Sequence, residues 1–72
     1  MCNTEQIKRA IEYAGTIFKL AVMIKCEPTM ISKWKNGKLN PSPINCLRIE
    51  KATKGLVRAK DILPDYDWEN VI

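Results

Sequence analysis

The stretch GTIFKLAVMIKCEPTMISKW, residues 15–34, contains the most informative pattern in this chain. Apolar side chains recur at helical spacing over residues 17–24, a short break ends at Pro28, and a second helical pattern then turns Trp34 inward. The small side chain of Ala21 allows the two helices to approach closely. The polar side chains left facing outward on the second helix are Thr29, Ser32, Lys33 and Lys35. This layout predicts a helix-turn-helix, in which one helix supports the other in the major groove of DNA.

Capping residues and prolines on either side of this stretch predict an all-α domain of four or five short helices. Asn3, Thr16 and Ser42 are good capping residues that directly precede apolar helical patterns. Pro28 and Pro43 suit the first position of a helix, where a missing N–H is harmless. The expected helices cover residues 4–14, 17–24, 28–36 and 43–54, with one further helical turn over 59–63. We expect minimal strand content.

The same periodicity predicts which side chains are buried and which are exposed. On the fourth helix we expect a buried face formed by Cys46, Leu47, Ile49 and Ala52. Three apolar residues fall at positions that we expect to be exposed: Val22, Met23 and Met30. Such scattered apolar residues are common on protein surfaces, but together they would suit a surface for a partner.

The charge of the chain is strongly asymmetric. The net charge of +4 is the sum of +8 in residues 1–60, which hold all twelve Lys and Arg against four Glu, and −4 in residues 61–72, which hold three Asp and one Glu. A compact body with such an excess of positive charge suits a polyanion. Many small soluble proteins are basic, so the charge favours nucleic acid only together with the helix-turn-helix pattern.

The composition speaks against catalysis, metal binding and membrane insertion. The chain has no histidine, no Cys-x-x-Cys pair and no glycine-rich phosphate loop. We therefore expect a non-enzymatic protein without a metal site, a cofactor or a small-molecule substrate. Its three cysteines are widely spaced and odd in number, which favours reduced thiols, with Cys26 and Cys46 at core positions. No signal peptide or apolar run of about 20 residues is visible, so we expect a cytoplasmic protein with no membrane segment.

Two segments of the chain resemble a known family. They are ISKWKNG at residues 31–37 and CLRIEKAT at residues 46–53, continued by KGLV at 54–57 and DILPD at 61–65. They are similar to the helical Cro repressors of lambdoid phages and to the related YdaS-type prophage regulators, which show AVSQWKxG followed by RCLAIEKATxGxV. The resemblance covers about residues 5–65.

This resemblance implies a lambda-repressor-like domain that represses transcription by binding operator DNA in a bacterial host cell. It also implies a weak homodimer that is strengthened on paired half-sites. The recognition helix would be 28–36, and the residues that match its groove-facing positions are Pro28, Thr29, Ser32 and Lys33. Physical chemistry agrees, because a lysine donates to guanine O6 or N7, a serine pairs with several base edges, and a threonine methyl meets the thymine methyl.

Two positions depart from the family pattern. The turn position that usually holds glycine is Lys25, which would need left-handed backbone geometry at a cost of about 1 kcal/mol. The first position of the second helix, often a glutamine that contacts phosphate, is Ile17. We therefore expect the contacts to the DNA backbone to come from Thr16, Lys35, Asn36 and Lys38.

An alternative interpretation is an antitoxin-like or antirepressor module that uses the same scaffold to bind a protein partner. Its support would be Met23, Met30, Tyr66 and Trp68, whereas the polar outward face of helix 28–36 favours DNA. In domain terms, we expect a DNA-binding unit over 1–64 and an acidic C-terminal tail over 65–72, either flexible or ordered by docking. The tail is a candidate dimer element, with contacts from Leu56, Val57, Tyr66 and Trp68.

Overall fold

The computed structural model describes residues 3–70, with only the backbone of Asn70. Cys2 and the last two residues of the expected acidic tail lie outside the described residues. Five α-helices and a final 3-10 turn make up the regular structure of the described part, which contains no strand. The helices are α1 (Thr4–Ala14), α2 (Ile17–Ile24), α3 (Pro28–Lys35), α4 (Pro43–Ala52) and α5 (Ala59–Ile62), and the 3-10 turn is Trp68–Asn70. The all-α prediction is confirmed.

The helices begin where the capping residues predict. The Asn3 side chain accepts a hydrogen bond from the Glu5 N–H at 3.1 Å at the start of α1. At the start of α2 the Thr16 hydroxyl accepts from the Lys19 N–H, also at 3.1 Å. The Ser42 hydroxyl accepts from the Asn45 N–H at 3.3 Å at the start of α4. Each cap gives a partner to a backbone donor that the helix itself leaves unpaired.

A single hydrophobic core joins all five helices. Helix α1 packs against α2 and α3, and α4 packs against α2 and α5. The fully buried residues include Ile7 of α1, Leu20 of α2, Trp34 of α3, Ile49 of α4 and Ile62 of α5. Trp34 is the largest of the fully buried side chains. Among the described residues, its indole Nε1–H has no hydrogen-bond partner.

The turn between α2 and α3 closes without a glycine. Lys25 takes the left-handed conformation with φ 56° and ψ 49°, as the sequence predicts. The N–H of the next residue, Cys26, donates to the Ala21 carbonyl at 3.0 Å and closes the end of α2. The strain at Lys25, about 1 kcal/mol, is therefore offset by the hydrogen bonds and packing of the turn.

Four details of the predicted helices are wrong. Helix α4 ends at Ala52 and not at 54, because Lys54 and Gly55 both have positive φ. Leu47 is 41% exposed, since it lies about 100° around α4 from Cys46 and about 160° from Ile49, the buried residues of this helix. Met30 is half-buried and packs against the core, although its position predicts exposure. Helix α3 ends one residue early, with Asn36 as its C-cap.

The segment between α4 and α5 is held by two polar side chains. The hydroxyl of Thr53, which is almost completely buried, donates to the Ile49 carbonyl at 2.8 Å and accepts from the Val57 N–H at 3.1 Å. The Glu50 carboxylate accepts from the Ala59 N–H at 2.7 Å, at the start of α5. The CLRIEKAT segment therefore has a structural role, because it fixes the turn that leads into the last helix.

Replacing Thr53 with valine should lower the free energy of unfolding by about 1–3 kcal/mol, because it leaves the buried Val57 N–H without an acceptor. Urea denaturation of the purified variant measures this change. The control is Thr29→Val on the exposed surface of α3, which should change stability by no more than about 0.5 kcal/mol. Equal stabilities of the two variants would show that the Thr53 hydrogen bonds do not hold the turn.

The C-terminal segment folds back on the domain through Trp68. Its indole Nε1–H donates to the Leu63 carbonyl at 2.8 Å, and its half-buried ring packs against the core. The rings of Tyr66 and Trp68 meet edge to face, with centroids 5.0 Å apart. The expectation that Val57 contributes to a dimer surface is wrong, because this side chain is fully buried in the core of its own chain.

Candidate nucleic-acid interface

Helix α3 has two opposite faces. Ile31 and Trp34 point into the core and are fully buried. At 100° per residue, five other positions, the last of them at the C-cap, gather within an arc of roughly 140° on the other side of the helix. This outer face of α3 consists of Pro28, Thr29, Ser32, Lys33 and Asn36.

The four residues expected to read bases therefore lie together on the outer face of α3. Thr29 and Lys33 are exposed, while Pro28 and Ser32 are partly covered. Pro28 occupies the first helical position, where its missing N–H leaves no donor unpaired. The surface offers a cation, a hydroxyl and a methyl-bearing hydroxyl, which are the groups that contact base edges in the major groove.

Two of the expected backbone contacts lie at the C-terminal end of this face, Asn36 within it and Lys38 just after it. The Lys38 N–H donates to the Lys33 carbonyl at 2.9 Å, and Gly37 takes a positive φ of 74°. These features reverse the chain at the end of α3. Asn36 and Lys38 are both exposed, directly after the base-reading residues in the chain.

The other two expected backbone contacts lie in different places. Thr16 is exposed at the N-terminus of α2, whose first turn holds no acidic residue. A helix N-terminus of this kind suits a phosphate. Lys35, in contrast, borders a groove that is also lined by Lys8, Ile11 and Glu12 of α1. It therefore lies on the side of α3 that faces α1, about 20° around the helix from Pro28 at the edge of the outer face.

The two described cysteines behave as core residues. Cys46 is fully buried and Cys26 is half-buried against the core. Burial raises the pKa of the Cys26 thiol, and the neighbouring Glu27 raises it further, while Arg48 acts in the opposite direction. A thiol with a raised pKa is mostly protonated near neutral pH and is a poor nucleophile or metal ligand. Among residues 3–70, no group of three metal-ligating side chains comes together, and no helix is long and apolar enough to cross a membrane.

The structure also shows surface features that the sequence reasoning missed. Phe18 and Val22 of α2 are 71% and 78% exposed, the largest exposures among the bulky apolar side chains of the described residues. Val22 was expected to be exposed, but Phe18 was not singled out. The signal was present, because residues 17, 20, 21 and 24 form the inner face of α2 and leave residue 18 outside it.

Comparisons with known proteins place the chain among phage and bacterial regulators by similarity. One similar protein is "Regulatory protein cro" of Pseudomonas phage D3, which is 27% identical over 62 residues, covering 86% of this chain and 85% of that protein. Another is "Putative transcriptional regulator YdaS" of Escherichia coli (strain K12), which is 30% identical over 61 residues, covering 85% of this chain. The chain spans 62% of the length of this second relative. No solved structure matches.

A family model described as "Bacterial toxin YdaS" matches residues 7–71, from the first helix to the penultimate residue. The match includes the helix-turn-helix and the α4–α5 segment, on which the resemblance to Cro and YdaS-type proteins rests. Because the model covers nearly the whole sequence, the chain belongs to the YdaS family.

Proposed function

We propose that this protein is a transcriptional regulator that binds double-stranded DNA sequence-specifically and represses transcription in the cytoplasm of a bacterial host. The observation that carries the proposal is the outer face of α3, which gathers Thr29, Ser32 and Lys33 on one side of a helix firmly held by Trp34. A short, well-packed helix with a polar outer face suits the major groove. The names of both curated relatives are those of regulators, which supports a non-enzymatic role.

In this proposal the contacts divide by type. Residues on the outer face of α3, namely Pro28, Thr29, Ser32 and Lys33, contact base edges and determine which sequence is bound. Thr16, Asn36 and Lys38 contact phosphates and fix the position of the domain on the duplex. Lys35 adds positive charge on the side of α3 that faces α1, and it contributes to binding through the electrostatic field of the whole protein.

The proposal includes a weak homodimer that becomes stable on DNA. One recognition helix covers only a few base pairs, so useful specificity calls for two half-sites about one helical turn apart. Residues 1–64 would form the DNA-binding unit, and the acidic residues 65–72 would stay clear of the phosphates. The exposed side chains of Leu56 and Tyr66, beside the half-buried Trp68, are the proposed dimer contacts.

Replacing Lys33 with alanine should weaken binding to the preferred duplex by about 1–3 kcal/mol, or roughly 5- to 150-fold, because one base contact is lost. Binding to random duplex should change far less. Fluorescence anisotropy with labelled duplexes measures both affinities. The preferred duplex is the one that the wild-type protein enriches from a random pool.

The matched control for this experiment is Lys60→Ala, which removes an exposed lysine from α5. This variant should lower both affinities slightly and by the same factor, as the loss of a distant charge does. If Lys33→Ala also lowered both affinities by the same factor, helix α3 would not be the part of the protein that reads sequence.

A further inference from the structure

The side of α2 that points away from the core is apolar and uncovered. Phe18 and Val22 lie one helical turn apart and are both mostly exposed. Together with Ala14, Lys19 and Met23 they line a shallow depression of about 450 Å³. We call Phe18, Val22 and Met23 the α2 patch. Single exposed apolar residues are ordinary, but adjacent ones on a helix often mark a binding surface.

A basic groove adjoins the α2 patch. Met23 also lines a depression of about 350 Å³ between α2 and α4, where Lys25, Arg48 and Lys51 provide the charge. The Arg48 guanidinium donates to the Ile24 carbonyl at 3.4 Å, which holds it at the end of α2. Among the described residues that line the two depressions, none is acidic. We call Lys19, Lys25, Arg48 and Lys51 the basic rim.

Neither surface is accounted for by the proposed contacts to DNA. The base-reading residues all lie on α3, and a phosphate backbone offers no apolar surface to cover Phe18 or Val22. The combination of an apolar strip and a cationic border instead complements a polypeptide that carries apolar and acidic side chains on one face.

A second copy of this chain is a poor occupant of the α2 patch. A symmetric contact between two α2 patches would bring the two basic rims together, and like charges repel. The acidic C-terminal segment of a second copy is also engaged, because Trp68 donates to Leu63 and packs on the core of its own chain. The charge of the rim therefore favours a different protein.

We propose that the α2 patch and the basic rim form a docking site for an acidic amphipathic helix of a partner protein. Apolar side chains of that helix cover Phe18 and Val22, and its carboxylates pair with Lys51 and Arg48. The outer face of α3 stays free, so the protein can hold DNA and the partner at the same time. The site is independent of whether α3 reads a DNA sequence.

The test is selection of random 16-residue peptides, displayed on phage, against the full-length protein in the presence of excess random duplex DNA. The enriched peptides should have a net negative charge and apolar residues at a spacing of three or four. Synthetic versions of them should bind Val22→Ser and Lys51→Glu about tenfold or more weakly than the wild-type protein. Phe18→Ser provides a second variant of the patch.

The control variants are Ile44→Ser, which alters a side chain 63% exposed on α4, and Lys60→Glu, which alters a lysine on α5. Both should bind the enriched peptides as the wild-type protein does, and circular dichroism should show that all variants melt cooperatively. The proposal is overturned if no acidic peptide is enriched, or if Val22→Ser binds the enriched peptides normally. It is also overturned if Val22→Ser abolishes self-association or weakens binding to random duplex, since the occupant would then be a second copy or DNA.

Discussion

Replacing Trp34 with alanine is expected to unfold most of the protein at room temperature. The indole is fully buried where α3 packs against the core, and it is the largest of the fully buried side chains. Removing a buried tryptophan costs about 3–5 kcal/mol. A domain of this size has a total stability close to that value, at the low end of the range for natural proteins. Circular dichroism and urea denaturation of the purified variant measure the loss.

The control at the same position is Trp34→Phe. Phenylalanine fills much of the same volume and removes the Nε1–H, which has no hydrogen-bond partner among the described residues. Burying an unpaired donor costs about 1–3 kcal/mol, so removing it offsets part of the lost packing. We expect Trp34→Phe to remain folded and to unfold cooperatively at a lower urea concentration. A Trp34→Ala protein as stable as the wild type would show that the indole is not part of the core, and would leave it free to stack on bases.

The helix starts were predictable because their causes are local. Asn3, Thr16 and Ser42 each bond to a backbone N–H two or three residues away, so the signal lies in a few adjacent letters. The left-handed turn at Lys25 was predicted from the family resemblance, because Lys25 stands at the turn position that usually holds glycine. The helix starts do not depend on which other helix lies nearby.

The errors concern residues whose environment is set by distant parts of the chain. Leu47 and Met30 lie at the edges of their helical faces, where burial depends on the positions of the neighbouring helices. Val57 lies in a connection without periodicity, and it is buried because Thr53 and Glu50 hold this segment against the core. Helical periodicity alone does not carry that information.

The candidate site also has one part that helical periodicity predicts and another that depends on how the helices pack. The outer face of α3 follows from the spacing of the buried Ile31 and Trp34, so Thr29, Ser32 and Lys33 were placed correctly from the sequence as outward-facing residues. The position of Lys35 beside α1 depends on how α1 and α3 cross, and the sequence pattern did not contain it. That these residues contact DNA remains a prediction.

A strong preference for one DNA sequence is the second large effect that we expect. The outer face of α3 presents several groups that pair with base edges, and each wrong base pair typically costs about 1–3 kcal/mol. A dimer doubles the number of positions that are read. The protein should therefore bind its preferred duplex at least about 10³-fold more tightly than a scrambled duplex of the same composition.

Selection of bound sequences from a random duplex pool, followed by anisotropy titrations, is the most direct test of this account. The enriched sites should contain two half-sites related by two-fold symmetry, with centres about one helical turn apart, and the scrambled duplex should bind far more weakly. A pool that shows no enrichment after repeated rounds, with equal affinity for the selected and the scrambled duplex, would contradict the proposal that α3 is a sequence-reading helix.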